Sequence, residues 1–178
     1  MNHSSIDSRN TKEVIDLFTS VFSSSEGDDE GKLIGELVSK LAPNIDGKEV
    51  FCFGAYIQEL LVGSVFLTRL RFKESHSVYM LAPVAVRTEF QGKGIGQSLI
   101  KYGLEEMKNL SVPVVVTYGD PSYYSKLGFQ PLSESVIQAP LELSMPEGWL
   151  GCSLAGEPIP AINERPTCVK EFNDPSYW

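Results

Sequence analysis

Gln91-Gly92-Lys93-Gly94-Ile95-Gly96 stands between a strand-like run and a helix-like run. Its glycines alternate, and the order strand, glycine loop, helix is that of a phosphate cradle. Glycine lets a backbone approach a ligand without a Cβ in the way, and it reaches positive φ at little cost. A helix that begins there aims its unpaired N–H groups and the positive end of its dipole at whatever occupies the loop. An anionic pyrophosphate suits such a place. The stretch therefore predicts a grip on a phosphorylated cofactor.

The glycine spacing narrows the choice of cofactor. A dinucleotide fingerprint needs G-x-G-x-x-G, whereas here Gly92, Gly94 and Gly96 are followed by Gln97 and Ser98. A P-loop closes with G-K-[ST], whereas Lys93 precedes the second glycine. Read as Q-x-x-G-x-G, the segment resembles the acetyl-CoA loop of the GNAT N-acetyltransferase superfamily. Upstream, Leu81-Ala82-Pro83-Val84-Ala85-Val86-Arg87 is similar to that family's fourth strand. Downstream, Tyr123-Tyr124-Ser125-Lys126-Leu127-Gly128-Phe129 is similar to its Y-x-x-x-G-F signature. The resemblance runs from about Thr11 to Pro131 and points to the bacterial single-domain acetyltransferases. The last third of the chain is less familiar.

Composition bounds the alternatives. The chain has 178 residues, the length of one domain, with 42% hydrophobic and 21% charged residues, as in an ordinary soluble globular protein. A net charge of −8 argues against generic nucleic-acid binding, which needs clustered Lys and Arg. It leaves room for an anionic cofactor held by backbone N–H groups, and it favours a cationic amine acceptor by steering. No apolar stretch approaches a membrane span, and Met1 to Arg9 lacks the apolar core of a secretory signal. Cys52, Cys152 and Cys168 are scattered and free of C-x-x-C spacing, which predicts a reducing compartment, the cytoplasm, and no zinc or disulfide framework. His3 and His76 are isolated, so no metal site is expected.

Periodicity predicts helices over Asn10–Phe22, with Asn10 and Glu13 as a capping box, and over Glu30–Leu41, joined by a polar linker from Ser23 to Asp29. Val50–Ile57 and Leu61–Phe72 read as a hairpin turning at Gln58-Glu59-Leu60. Ser77–Val86 reads as a third strand, partly interrupted at Pro83, where a missing donor suggests a bulge or local splaying. A helix over Gly94–Lys108, carrying Ile95, Leu99, Ile100, Gly103 and Met107 on its inner face, leads to a buried strand over Val112–Tyr118. Strand, helix, strand is a crossover, so the flanking strands should run parallel. After Ser133, one or two further strands are expected.

The fold class is thus α/β, an α+β mixed sheet, mostly antiparallel, with one parallel pair, which the resemblance implies is splayed, and helices on both faces. One domain is expected over residues 1–178: N-terminal helices over 10–41, an acetyl-CoA core over 50–131 and a C-terminal segment over 132–178. The tail ending Pro175-Ser176-Tyr177-Trp178 could dock on a second copy and give a homodimer.

The resemblance implies the chemistry. Gln91, Gly92, Lys93, Gly94, Ile95, Gly96 and Gln97 would hold acetyl-CoA through backbone amides. Val84, Ala85 and Val86 would pair with its pantetheine arm like an added strand, one N–H polarising the thioester carbonyl. The parallel pair would part into a V-shaped opening for that arm, with Pro83 as the cause. Tyr124, four residues before Gly128, stands where such enzymes carry the acid that protonates the departing thiolate. A phenol of pKa near 10, above a free thiol near 8.5, stays protonated for that task. Tyr123 points elsewhere and reads as packing or substrate contact.

Asp120 reads as the N-cap of a helix opened by Pro121 rather than as a catalytic group. The family often carries Asn where Gly119-Asp120 stands. Ser77 to Val86 holds no carboxylate to serve as base, and Glu74, His76 and Glu89 beside it read as solvated loop residues. The implied activity is direct acetyl transfer to an amine of a small molecule or peptide, with no nucleic acid or membrane partner. The missing strand carboxylate supports an alternative, a non-catalytic acyl-CoA-binding or sensor domain. A nucleotide-binding module is disfavoured by the glycine spacing.

Overall fold

The computed structural model describes residues 1–9 and 11–178. Their strands are β1 (Asn2–Ser5), β2 (Val50–Ile57), β3 (Leu60–Leu70), β4 (Val78–Val86), β5 (Val114–Tyr118), β6 (Gln130–Pro131) and β7 (Trp149–Ser153). They form one sheet in the order β1-β2-β3-β4-β5-β7-β6, mostly antiparallel, with β4 and β5 as the parallel pair. The α-helices are α1 (Thr11–Glu26), α2 (Asp28–Leu41), α3 (Ile95–Asn109) and α4 (Pro121–Tyr124). The mixed sheet and its parallel crossover are those expected from the strand–helix–strand pattern. The chain divides into two compact units, Met1–Leu67 with Pro83–Gly103, and Thr68–Ala82 with Leu104–Trp178.

In the first unit, Val14, Leu17, Phe18 and Val21 are the buried residues of α1, and Ile34, Leu37, Val38 and Leu41 are among those of α2. The expected linker from Ser23 to Asp29 is largely helical: α1 continues to Glu26, breaks at Gly27 (φ 99°), and α2 starts at Asp28. Asn10, expected as a capping residue, lies outside the described residues. The two helices approach closely. A Cβ on Gly31 would lie 2.7 Å from the Ser23 backbone nitrogen, so only glycine fits there. The β2–β3 turn is one residue shorter than expected. Gln58 (φ 48°) and Glu59 (φ 67°) form it alone, and two left-handed residues give the twist a tight hairpin needs. The sequence reading missed β1, where Asn2–Ser5 pair antiparallel with Tyr56–Phe53. His3 of that strand stacks on Tyr102 of α3, ring centroids 5.2 Å apart, and its Nε2 lies 3.2 Å from Ser98 Oγ.

In the second unit, the β4–β5 ladder pairs Val78, Tyr79 and Met80 with Val114, Val115 and Val116. One residue further, the Thr117 hydroxyl donates to the Leu81 carbonyl at 2.7 Å. β5 also pairs along its length with β7, Val114–Tyr118 against Ser153–Trp149. The C-terminal segment closes on this unit. Trp178, 5% exposed, packs against Trp149, Tyr118 and Phe172, and its indole Nε1 donates to the Phe172 carbonyl at 2.8 Å. The tail that could have docked on a second copy thus packs its last residue into its own chain.

β4 itself runs without a break through Pro83, against the interruption expected there. Proline's fixed φ is compatible with extended backbone, and Pro83 lies beyond the last β4–β5 pair, Met80 with Val116.

Candidate active site

The loop expected to hold the cofactor lies in the first unit, between the end of β4 and the start of α3. Ala85 is buried, while Val84 and Val86 are partly exposed on the alternate positions of the strand. A single 3₁₀ turn, Thr88–Phe90, carries the chain into the loop. Gln91 anchors it by donating from Nε2 to the Val86 carbonyl at 2.9 Å. Lys93 folds back, its Nζ donating to the Glu89 carbonyl at 3.1 Å and lying 5.2 Å from the Phe90 ring centroid.

Gly92 (φ 73°) and Gly94 (φ 77°) take left-handed conformations that other residues adopt only under strain. A Cβ at either would meet nothing within 4 Å, so the loop presents an open backbone face. The Ser98 N–H closes the first turn of α3 on the Gly94 carbonyl at 3.0 Å. The N–H groups of Ile95, Gly96 and Gln97 at the helix start therefore have no acceptor within the helix. Backbone donors, an open face and a positive dipole end are a donor set that fits a pyrophosphate.

Arg87, which the sequence reading quoted but gave no role, braces this region. Its backbone N–H donates to Val62 at 2.8 Å and its Nε to the Leu61 carbonyl at 2.7 Å. The Leu61 N–H in turn donates to Glu13 Oε1 at 3.2 Å. On β3, Gly63 admits Ala85 closely, since a Cβ there would lie 3.2 Å from the Ala85 carbonyl oxygen. Arg9, Thr11, Lys12, Glu13, Asp16 and Arg87 line a cleft of about 410 Å³ in the same unit.

Tyr124 belongs to the second unit. Asp120 is the N-cap of α4, as read from the sequence, its Oδ1 accepting the Ser122 N–H at 2.8 Å. The Ser122 hydroxyl, donating at 2.8 Å, and this N–H hold its carboxyl below the ordinary value. Pro121 opens the helix and Gly128 (φ 89°) follows the short turn after it. Tyr124 packs edge-on to Tyr123 and Phe129, with centroids 5.1 and 5.5 Å away. Gly119 lies directly against its ring, where a Cβ would come within 2.6 Å of Cε2. Burial pushes the Tyr124 phenol up to about 12, against an opposing hydrogen bond with Thr117. Thr117, fully buried, is the polar residue in an otherwise valine-rich stretch, and that contrast was its signal in the sequence.

Glu74 and Glu89 are exposed, and His76 lies 3.5 Å from Glu74 and edge-on to Phe72. Among the described residues, no helix is long and apolar enough to cross a membrane.

Comparison with known proteins agrees with this architecture. The acetyltransferase (GNAT) domain model matches residues 3–132. The uncharacterized N-acetyltransferase YjhQ of Escherichia coli (strain K12) is 30% identical over 132 residues, 70% of this chain and 72% of that protein. The chain therefore belongs to the GNAT acetyltransferase family. Among solved structures, YhbS of Escherichia coli, a GNAT family N-acetyltransferase in complex with CoA, aligns with a TM-score of 0.79 at 22% identity, covering 97% of this chain and 92% of that one. A GNAT family acetyltransferase from Brucella melitensis in complex with acetyl-CoA aligns with a TM-score of 0.69 at 18% identity, covering 94% of this chain and 93% of that one.

Proposed function

We propose that the chain acts as one acetyltransferase domain in the cytoplasm, transferring acetyl from acetyl-CoA directly to an amine of a small molecule or peptide. The observation that carries this reading is the open glycine loop at the start of α3, locked to the end of β4 by Gln91. Acetyl-CoA supplies the activated acyl group and a thiolate leaving group. The backbone of Gln91–Gln97 grips its pyrophosphate, and the backbone of Val84, Ala85 and Val86 holds its pantetheine arm. An N–H of that backbone polarises the thioester carbonyl. Tyr124 holds a proton at its phenol oxygen and yields it to the leaving sulfur. With its pKa at about 12, the phenol is fully protonated at neutral pH.

Calorimetric titration with acetyl-CoA, CoA and ATP tests the reading. Micromolar binding of acetyl-CoA without ATP binding is expected, and failure of acetyl-CoA to bind overturns it. Release of CoA on adding an amine panel separates an enzyme from a sensor that only binds.

A further inference from the structure

His3 touches successive turns of the helix that follows the glycine loop. Its strand β1 pairs with β2, which places it opposite Ala55. From there the imidazole stacks on Tyr102 of α3 at 5.2 Å, the rings 16° from parallel, and its Nε2 lies 3.2 Å from Ser98 Oγ. Phe53 of β2 closes on Tyr102 edge-on, 5.6 Å away. Ser98 and Tyr102 are four residues apart and so share one face of α3. Ser98 is also the residue whose N–H closes the first helical turn on Gly94. One ring therefore holds both the turn that ends the loop and the turn behind it.

Building on the reading of the loop as the pyrophosphate cradle, we propose that His3 is a positioning residue for acetyl-CoA: through Ser98 it fixes the first turn of α3, and it takes up a proton from solvent when the cofactor binds. The N–H groups of Ile95, Gly96 and Gln97 converge on one anion only while that turn is held in place. A neutral imidazole meets the Ser98 hydroxyl as donor or acceptor according to its tautomer, whereas an imidazolium only donates to it. Without cofactor the neutral form prevails at neutral pH. Burial, and then the α-amino group of Met1, hold the imidazole below its ordinary value. The positive end of α3 opposes a further cation there. The facing residues are Ala55 and Phe53 from β2 and Ser98 and Tyr102 from α3, none of them charged at neutral pH, and Lys101 is exposed. A bound pyrophosphate reverses the local sign, and an opposite charge favours the protonated ring. Proton and cofactor then strengthen each other's binding by the same factor, so affinity grows as pH falls through the range in which His3 titrates.

The test is calorimetric titration of the full chain with acetyl-CoA from about pH 5.5 to about pH 8, where histidine titrates, in pairs of buffers that differ in ionisation enthalpy. His3→Phe keeps an aromatic ring to stack on Tyr102 and removes the proton site. Between the alkaline and acid ends, wild-type affinity should rise about threefold more than that of His3→Phe, the equivalent of about half a unit in the His3 pKa. At about pH 6.5 the wild type should also take up more protons on binding. The cofactor's own phosphate titrates near pH 6, but equally in both proteins, and cancels. Ser98→Ala should weaken binding about threefold in the wild-type background and leave His3→Phe unaffected, because the two residues act as one contact. In the wild-type chain, proton NMR of the imidazole should show the His3 pKa rising by about half a unit on saturation with CoA. An unmoved His3 pKa, proton uptake equal in wild type and His3→Phe, or equal losses from Ser98→Ala in both backgrounds overturns the role of His3 while leaving the cradle. A wild-type chain that binds no acetyl-CoA overturns the cradle itself, and the role of His3 with it.

Discussion

The side chain of Arg87 donates from Nε to the carbonyl of Leu61 at 2.7 Å, while the Leu61 N–H is taken by Glu13. Leu61 is fully buried, so both of its backbone polar groups depend on charged side chains for partners. Arg87 is also the residue that follows the end of β4 and leads toward the glycine loop. One side chain therefore fixes where the strand ends and where the loop begins.

Replacing that side chain should loosen the loop. Arg87→Met keeps the aliphatic stem but orphans the Leu61 carbonyl, at a cost of about 1–3 kcal/mol. The expected outcome is a lower melting temperature and about tenfold weaker acetyl-CoA binding by calorimetry. Arg87→Lys should not restore it, since a flexible ammonium lacks the Nε donor of a planar guanidinium.

At Gly94, space and conformation make separate demands. There is room for a methyl group, but φ of 77° strains any other residue by about 1–2 kcal/mol. Gly94→Ala should therefore weaken acetyl-CoA binding moderately. Gly94→Trp, filling the open face, should abolish binding while circular dichroism shows the fold retained.

Removal of a single oxygen from Tyr124 should affect rate and leave affinity alone. In Tyr124→Phe the ring contacts with Tyr123 and Phe129 persist. Turnover should drop about 10²-fold, the usual worth of a positioned acid, with the acetyl-CoA dissociation constant within about twofold of wild type. Because the Tyr124 phenol is raised to about 12, its acid form is lost only above that pH. The wild-type rate profile should accordingly show no alkaline limb from this residue up to about pH 10.

Gly31 allows α1 and α2 to touch. A methyl group there would lie 2.7 Å from the Ser23 nitrogen and 2.8 Å from its Cα, backbone atoms that cannot swing aside. Helix propensity favours Gly31→Ala by about 1 kcal/mol, but overpacking of about 1–3 kcal/mol opposes it. The clash should prevail, and calorimetric melting should show a lower transition temperature.

Stability in acid should depend on Asp46. Burial raises its carboxyl, but the backbone N–H groups of Val50, Lys48 and Glu49 donate to Oδ1 at 3.0, 2.8 and 2.8 Å and bring it below the ordinary value. With the folded pKa depressed, its contribution is present above the unfolded value of 3.8 and disappears as pH falls through the folded one. Asp46→Ala should lower denaturant stability at neutral pH. The difference from wild type should shrink steadily below about pH 4.

Much of this architecture was legible from local pattern. The glycine alternation, the valine run of β5 and the Asp120-Pro121 cap each express a short-range preference that the fold honours. β1 was not legible, because Asn2–Ser5 is polar and becomes a strand only through its pairing with β2. The continuation of α1 over three serines was hidden too, since serine favours caps and turns in isolation and tertiary packing outweighs that preference. Of the candidate site, the left-handed backbone at Gly92 and Gly94 could be read from glycine spacing. The bracing bonds of Arg87 and the buried hydroxyl of Thr117 depend on partners 26 and 36 residues away, and no local pattern encodes such partners.

The burial of Trp178 against Trp149 has an optical consequence. The chain has two tryptophans, and their ring centroids are 6.3 Å apart in the second unit. Its intrinsic fluorescence is therefore a single-point probe. Stacked on Tyr118, the indole of Trp178 reports on the end of β5 from which the Tyr124 turn departs. A ligand that quenches this emission announces a change at that place.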